Sequence, residues 1–384
     1  MENRNWREVK LGDIIDIISK KTPIENATLE NYISTENMIN DFGGVQNAEK
    51  LPTTNTVNAF VENDILFSNI RTYFKKVWHA KFDGTVSQDV LTFRAKENII
   101  SKFLYYILCN PEFTEYTVLT SKGAKMPRGD KDAIRNFEIQ LPQLPEQKAI
   151  ASVLSSLDDK IDLLHQQNQT LEALAETLYL NFIGEREFNS KLSDIFSLQN
   201  GYAFKSKSFK ESGIIRVIKI KNISGDIVDI TNSDFVDDES IKKLDVKFKI
   251  NSGDILIAMT GAEVGKLGIV PETDQSLWLN QRVGSIKQKF EGAKYLVYLH
   301  LKSDFGQDYI ENTATGSAQP NISGEGIENC KFPLYEEAEL EEICNKLSPL
   351  YDKVIFNLGQ IQTLNQLRDT LLPKLMNGEV RVKM

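Results

Sequence analysis

Two short loops carry the residue types best suited to recognition chemistry. One is Ser121-Lys122-Gly123-Ala124-Lys125-Met126-Pro127-Arg128, the other Thr315-Gly316-Ser317-Ala318-Gln319-Pro320-Asn321-Ile322. Glycine and proline shape tight loops. Lysine and arginine suit phosphates or guanine edges, whereas glutamine and asparagine suit adenine edges. Polar turns also follow two apolar runs that read as buried strands. Ser68-Asn69-Ile70-Arg71-Thr72 follows Asp64-Ile65-Leu66-Phe67, and Thr260-Gly261-Ala262-Glu263 follows Asp254-Ile255-Leu256-Ile257.

Catalytic signatures are missing. Gly261 to Lys266 has the outline of a phosphate loop, but it is one spacer residue short and has Leu267 where Ser or Thr is needed. There is no Asn-Pro-Pro or Asp-Pro-Pro tract for adenine methylation and no Gly-x-Ser-x-Gly elbow. Glu8-Val9-Lys10 has a nuclease-like Glu-x-Lys pattern without a Pro-Asp partner. Cys109, Cys330 and Cys344 are too scattered for a disulfide framework or a zinc site, and His79, His165 and His300 are equally isolated. The expectation is a non-catalytic chain with no metal and no bound cofactor.

The elements that must position these loops occur twice. Ile150, Leu154, Leu157, Ile161, Leu171, Leu174, Leu178 and Phe182 recur at one fixed offset as Ile343, Leu347, Leu350, Val354, Leu364, Leu367, Leu371 and Leu375. The same offset relates Gln88 and Val90 to Gln281 and Val283, and Gly123 to Gly316. It is slightly shorter between Asp64-Ile65-Leu66 and Asp254-Ile255-Leu256. Phe103–Leu108 and Tyr295–Leu299 read as helices packed on a sheet. The reading is a mixed α/β domain followed by a long amphipathic helix, written twice.

The first helix opens at Pro145, a favourable first-turn residue, and stops at Gly184. Its apolar spacing is a heptad seam with Asn168 at one core position. The second runs from about Glu336 to Met376. Pro349 inside it predicts either a kink or a fresh start capped by Ser348. A helix of this kind is about 50 Å long, and the short stretch Glu185–Ser190 cannot run back that far. The helices are therefore expected to pair antiparallel, with the domains at opposite ends of a rod and related by a pseudo-two-fold axis. That symmetry sets Asn168 against Asn357, a buried polar pair that would fix the register.

Composition agrees with a soluble globular chain, at 41% hydrophobic and 26% charged residues. No apolar run approaches the length of a membrane span, and the start of the sequence has no signal-peptide core. A cytoplasmic, reducing location is expected. The net charge of −9 argues against a generic nucleic-acid binder. Most of it falls in the helical segments, however, leaving the α/β segments nearly balanced.

Further segments mark the domain starts, Trp6-Arg7-Glu8-Val9-Lys10-Leu11-Gly12-Asp13, Leu192-Ser193-Asp194-Ile195 and Asn200-Gly201-Tyr202-Ala203-Phe204-Lys205-Ser206. With Gly253-Asp254-Ile255-Leu256, the Thr315–Ile322 loop and Leu144-Pro145-Glu146-Gln147-Lys148-Ala149-Ile150-Ala151, they make the sequence resemble the specificity subunit of Type I restriction–modification systems. The resemblance implies two target-recognition domains, 1–144 and 185–335, and two conserved spacer helices, 145–184 and 336–384. Each domain would read half of an interrupted double-stranded DNA target, and the helices would space the domains and dock two methyltransferase subunits. S-adenosylmethionine, ATP and Mg would belong to those subunits and to a restriction or motor subunit. Expected DNA contacts are Arg71, Lys122, Lys125 and Arg128 in the first domain, and Tyr202, Lys205, Ser317, Gln319 and Asn321 in the second. The competing readings are a stand-alone DNA methyltransferase or nuclease, and a coiled-coil scaffold unrelated to DNA.

Overall fold

The computed structural model describes residues 6–383 except Ser224, Ser317 and Ala318. The chain divides into two α/β units, Met1–Lys160 with Leu364–Met384, and Ile161–Thr363. The division runs through both long helices. Ile150, Ala151 and Leu154 pack into the core of the first unit, whereas Ala175, Tyr179 and Phe182 pack into that of the second.

Each unit is built on a four-stranded antiparallel sheet of the same order. In the first it runs Ile15–Ile18, Val90–Ala95, Ile65–Ser68, Val77–His79. In the second it runs Phe196–Asn200, Val283–Gln288, Ile255–Ala258, Leu267–Ile269. The apolar runs are continuous because these strands are covered on both faces. Ile65 and Phe67 face the core beneath the helix Ser101–Cys109, while Leu66 between them faces a separate core. Ile255 and Ile257 alternate with Leu256 and Ala258 in the same way. That further core is closed by a second sheet, four-stranded in one unit and five-stranded in the other.

The repeat extends to single side chains. Arg94 donates to the buried Asp64 carboxylate at 2.7 and 2.8 Å, and Lys287 to Asp254 at 3.2 Å. Lys10 reaches Asn136 at 3.1 Å, and Lys191 reaches Asn329 at 2.9 Å. Where one long helix has ended, an arginine clips back to a glutamate at the start of the other. Arg186 holds Glu339 through two bonds of 2.8 and 3.0 Å, and Arg381 holds Glu146 at 3.0 and 3.2 Å. The forked geometry drives the Glu339 carboxyl down to about 2.

The long helices span Leu144–Ile183 and Glu337–Met376. Gly184 and Gly378, both at positive φ, follow their ends. The second is continuous through Pro349, which neither ends nor restarts it. Ser348 Oγ donates to the Cys344 carbonyl at 2.9 Å, one turn back. Within each unit the helical segments run antiparallel: Asp158 meets Arg368 at 3.1 Å in the first, and Asn168 meets Asn357 at 2.8 Å in the second. The 4-3 spacing that runs from Ile150 to Leu171 continues to Ala175, which is buried, and leaves Leu174 off the seam, so Leu174 and its counterpart Leu367 are 48% and 44% exposed. The buried line then steps one residue past the heptad, from the partly buried Leu178 and Leu371 to the buried Tyr179 and Leu372, as a helix of 3.6 residues per turn drifts off a 3.5-residue repeat. Among the described residues no helix is long and apolar enough to cross a membrane.

Candidate nucleic-acid interface

Four of the expected contact residues of the first unit lie on two loops stitched together by backbone hydrogen bonds. Lys122 and Arg128 exchange N–H···O bonds of 2.8 and 2.9 Å, closing a tight turn whose Gly123 has φ of +100°. The N–H of Arg71 donates to the Pro127 carbonyl at 2.8 Å and that of Gly129 to the Asn69 carbonyl at 3.0 Å. Asn69 in turn donates to the Asp89 carbonyl at 2.9 Å. Arg71, Lys122, Lys125 and Arg128 are all exposed on this assembly.

The second unit repeats the stitching bond for bond. Thr315 and Asn321 exchange bonds of 2.9 and 2.8 Å, and Gly316 has φ of +99°. Gly261 donates to the Pro320 carbonyl at 2.8 Å, Ile322 to Met259 at 3.0 Å, and Met259 to Arg282 at 3.0 Å. The backbone is therefore one device used twice with different side chains. Lys122 corresponds to Thr315, Arg128 to Asn321 and Arg71 to Gly261. Gln319 and Asn321 are exposed on this turn; Ser317 lies outside the described residues.

Tyr202 approaches the same loops from a third segment, and Lys205 is exposed three residues further along it. Tyr202 donates its N–H to the Leu279 carbonyl at 2.8 Å and accepts from Gln281 N–H at 2.9 Å. Gly201 permits this approach, because a Cβ there would run into the Asn280 carbonyl. The Tyr202 ring, 37% exposed, packs edge-on against Phe204 at 5.1 Å and tilts over Phe248 at 5.6 Å. The Lys247 ammonium lies 5.2 Å from the Phe248 ring centroid, which brings a further cation to this aromatic cluster.

Electrostatics differ between the copies. In the first unit two of the four expected cations are engaged by carboxylates. Arg128 pairs with Asp89 at 2.9 Å, and Lys122 with Asp130. Hydrogen bonding to Lys122 holds the Asp130 carboxyl below its usual range, and the same contact raises the Lys122 ammonium. In the second unit the corresponding positions hold Arg282 in place of Asp89 and Ser323 in place of Asp130. Asp130 and Ser323 both cap a short helix, through bonds to Asp132 and to Gly326.

Arg71 and Lys75 flank the turn Thr72–Phe74 in the left-handed region, with φ of 50° and 52°. Their counterparts are Gly261 and Gly265, with φ of 84° and 88°. A side chain in that region costs about 1–2 kcal/mol. The first unit thus keeps two cations at positions where the fold would favour glycine: the Lys75 ammonium pairs with Asp41 at 3.4 Å, whereas Arg71 is exposed on the stitched loops, which points to a use for it there.

Sequence reasoning did not single out Lys247, which also pairs with Asp245 at 3.6 Å, Arg282 or the two pairing carboxylates of the first unit. Arg282 was within reach. It lies between Gln281 and Val283, which align with Gln88 and Val90, so its counterpart Asp89 has the opposite charge. The three cysteines are buried and free. Burial pushes the Cys344 thiol up to about 11 and Cys330 to about 12, so neither is an accessible nucleophile.

A sequence model of the Type I restriction modification DNA specificity domain matches residues 3–173 and again 186–366. The Type I restriction enzyme MjaVIII specificity subunit of Methanocaldococcus jannaschii is 26% identical over 99% of this chain and 94% of its own length. The HindI specificity subunit of Haemophilus influenzae is 23% identical over 98% of this chain and 100% of its own. The crystal structure of the Type I restriction–modification S subunit from M. genitalium superposes with a TM-score of 0.63 at 18% identity. It covers 100% of this chain and 98% of that one, a likeness of fold.

Proposed function

This chain belongs to the family of Type I restriction–modification DNA specificity domains, of which it carries two copies, and we propose that each copy reads one half of a bipartite, interrupted DNA target. The observation that carries the reading is the recognition device itself. Five equivalent backbone hydrogen bonds hold the same loops in both units, while the exposed side chains on them differ. A common frame with divergent tips suits two readers of two different half-sites.

In this reading the chain contributes recognition and no chemistry of its own. Two methyltransferase subunits dock on the long helices and bring S-adenosylmethionine for adenine methylation. A restriction or motor subunit brings ATP and Mg. The adenine-suited Gln319 and Asn321 serve the half-site of the second unit, and the cations around Arg71 and Arg128 serve that of the first. The test is methylome sequencing of cells with and without the gene for this chain. Loss of one bipartite adenine mark on deletion is the expected result. An unchanged methylome with the partner genes intact overturns the reading.

A further inference from the structure

Arg282 occupies the centre of the second unit's recognition surface. Its carbonyl accepts from Met259, whose own carbonyl accepts from Ile322 beside Asn321. On its other side the neighbouring Gln281 N–H donates to Tyr202. The segment Asn280–Arg282 therefore ties the Tyr202 segment to the Gln319–Asn321 turn, and Arg282 is its exposed cation. None of the hydrogen bonds or ion pairs among the described residues engages its guanidinium.

At the same backbone position of the first unit, Asp89 reaches across to Arg128. The second unit has neutral Asn321 where Arg128 stands, and a cation where the carboxylate stands. Both carboxylates of the first device, Asp89 and Asp130, are absent from the second, as are both cations they hold. A single unpaired arginine remains on the opposite side of the same junction. The nearby Glu263 is held by Lys266, so among the described residues no carboxylate orients the Arg282 cation, and with Gln319 and Asn321 on the adjoining turn it is available to an external anion or base edge.

We infer that Arg282 contacts DNA and is the second unit's functional counterpart of Arg128, the cation having moved from one side of the junction to the other. The inference rests on the reading that this surface recognises DNA. Its test uses the chain assembled with its methyltransferase subunits, titrated by fluorescence anisotropy onto duplexes bearing the intact target. Duplexes with one half scrambled serve as comparison. Arg282→Ala is expected to weaken binding to the intact target by roughly 5- to 150-fold, the range of one lost arginine contact. Binding to a duplex whose second-unit half is already scrambled should change much less if the contact is to a base. Arg282→Lys distinguishes the anion: rescue, with a salt slope restored by about 1, marks a phosphate, whereas no rescue marks the forked contact to guanine. The exposed, unpaired side chain predicts an unchanged Tm. Wild-type affinity in Arg282→Ala, with Asn321→Ala impaired, overturns the inference and leaves the recognition reading standing. If the wild-type assembly does not prefer the intact target, both fall.

Discussion

Replacing Asn357 by leucine should destabilise the second unit, and replacing Asn168 as well should restore it. Asn357 is fully buried and Asn168 is 5% exposed. The Asn357 amide donates to Asn168 Oδ1 at 2.8 Å and to Gln167 Oε1 at 2.9 Å. In Asn357→Leu, Gln167 is exposed and finds water, but the Asn168 amide is left buried with no partner. That costs about 1–3 kcal/mol. Asn168→Leu alone should cost less, because Asn357 keeps its bond to Gln167. The double variant removes both amides and buries two leucines in the seam. It should equal or exceed wild type, since Asn168 Nδ2 and Asn357 Oδ1 are already buried without partners. The assay is urea unfolding read by Trp278, buried in the second unit, in a background with Trp6 and Trp78 replaced by phenylalanine. A double variant no more stable than Asn357→Leu would refute the reasoning, as would additive single effects.

Arg71→Gly should raise stability, by about 1 kcal/mol for the relieved left-handed strain, while weakening DNA binding by the assembled complex. A variant that loses stability, or binds as wild type, contradicts this. His300 is fully buried, its Nε2–H donating to the Lys331 carbonyl at 2.8 Å and its Nδ1 accepting from the Tyr179 hydroxyl at 2.8 Å. Burial lowers it from 6.5 to about 4. The unfolded chain thus takes up a proton that the folded chain refuses. This contribution is whole above pH 6.5 and is lost as pH falls towards 4, by roughly 3 kcal/mol. Unfolding midpoints of wild type across that window should fall more steeply than those of His300→Gln; parallel curves would exclude the assignment. Gly201→Ala drives a Cβ into the Asn280 carbonyl. It should displace the Tyr202 segment and weaken binding to the second unit's half-site, with half-scrambled duplexes as the check.

Much of the frame was legible because the repeat holds a fixed offset. The seam residues and the two glycine-centred loops recur at that spacing, the buried strands before the polar turns recur at a slightly shorter one, and the loops repeat the same backbone hydrogen bonds. The second sheets were not legible. In the second unit they use strands as short as Phe209–Lys210 and Lys249–Ile250. They include a parallel pairing of Ile215–Ile218 with Ser276–Leu279. Two residues carry no periodicity, and such pairings are set by distant partners. Leu174 and Leu367 are apolar but lie off the 4-3 spacing, which continues to Ala175 and Arg368, and the step to Tyr179 and Leu372 was not legible because a strict heptad does not accumulate the 3.6-residue twist. Pro349 looked like a breaker, but the helix continues through it. On the recognition surface the sequence marked exposed cations and amides, but not which cations are held by carboxylates. That depends on Asp89 and Asp130 being folded against Arg128 and Lys122.

The central claim is that each unit reads its own half-site, and it is tested most directly by selecting bound duplexes from a randomised pool with the assembled complex and sequencing them. Wild type should return two fixed half-sites separated by an unspecified spacer. Gln319→Ala with Asn321→Ala should relax one half, each lost bidentate contact being worth about 1–3 kcal/mol of discrimination, and leave the other unchanged. Relaxation of both halves together, or of neither, would contradict the account.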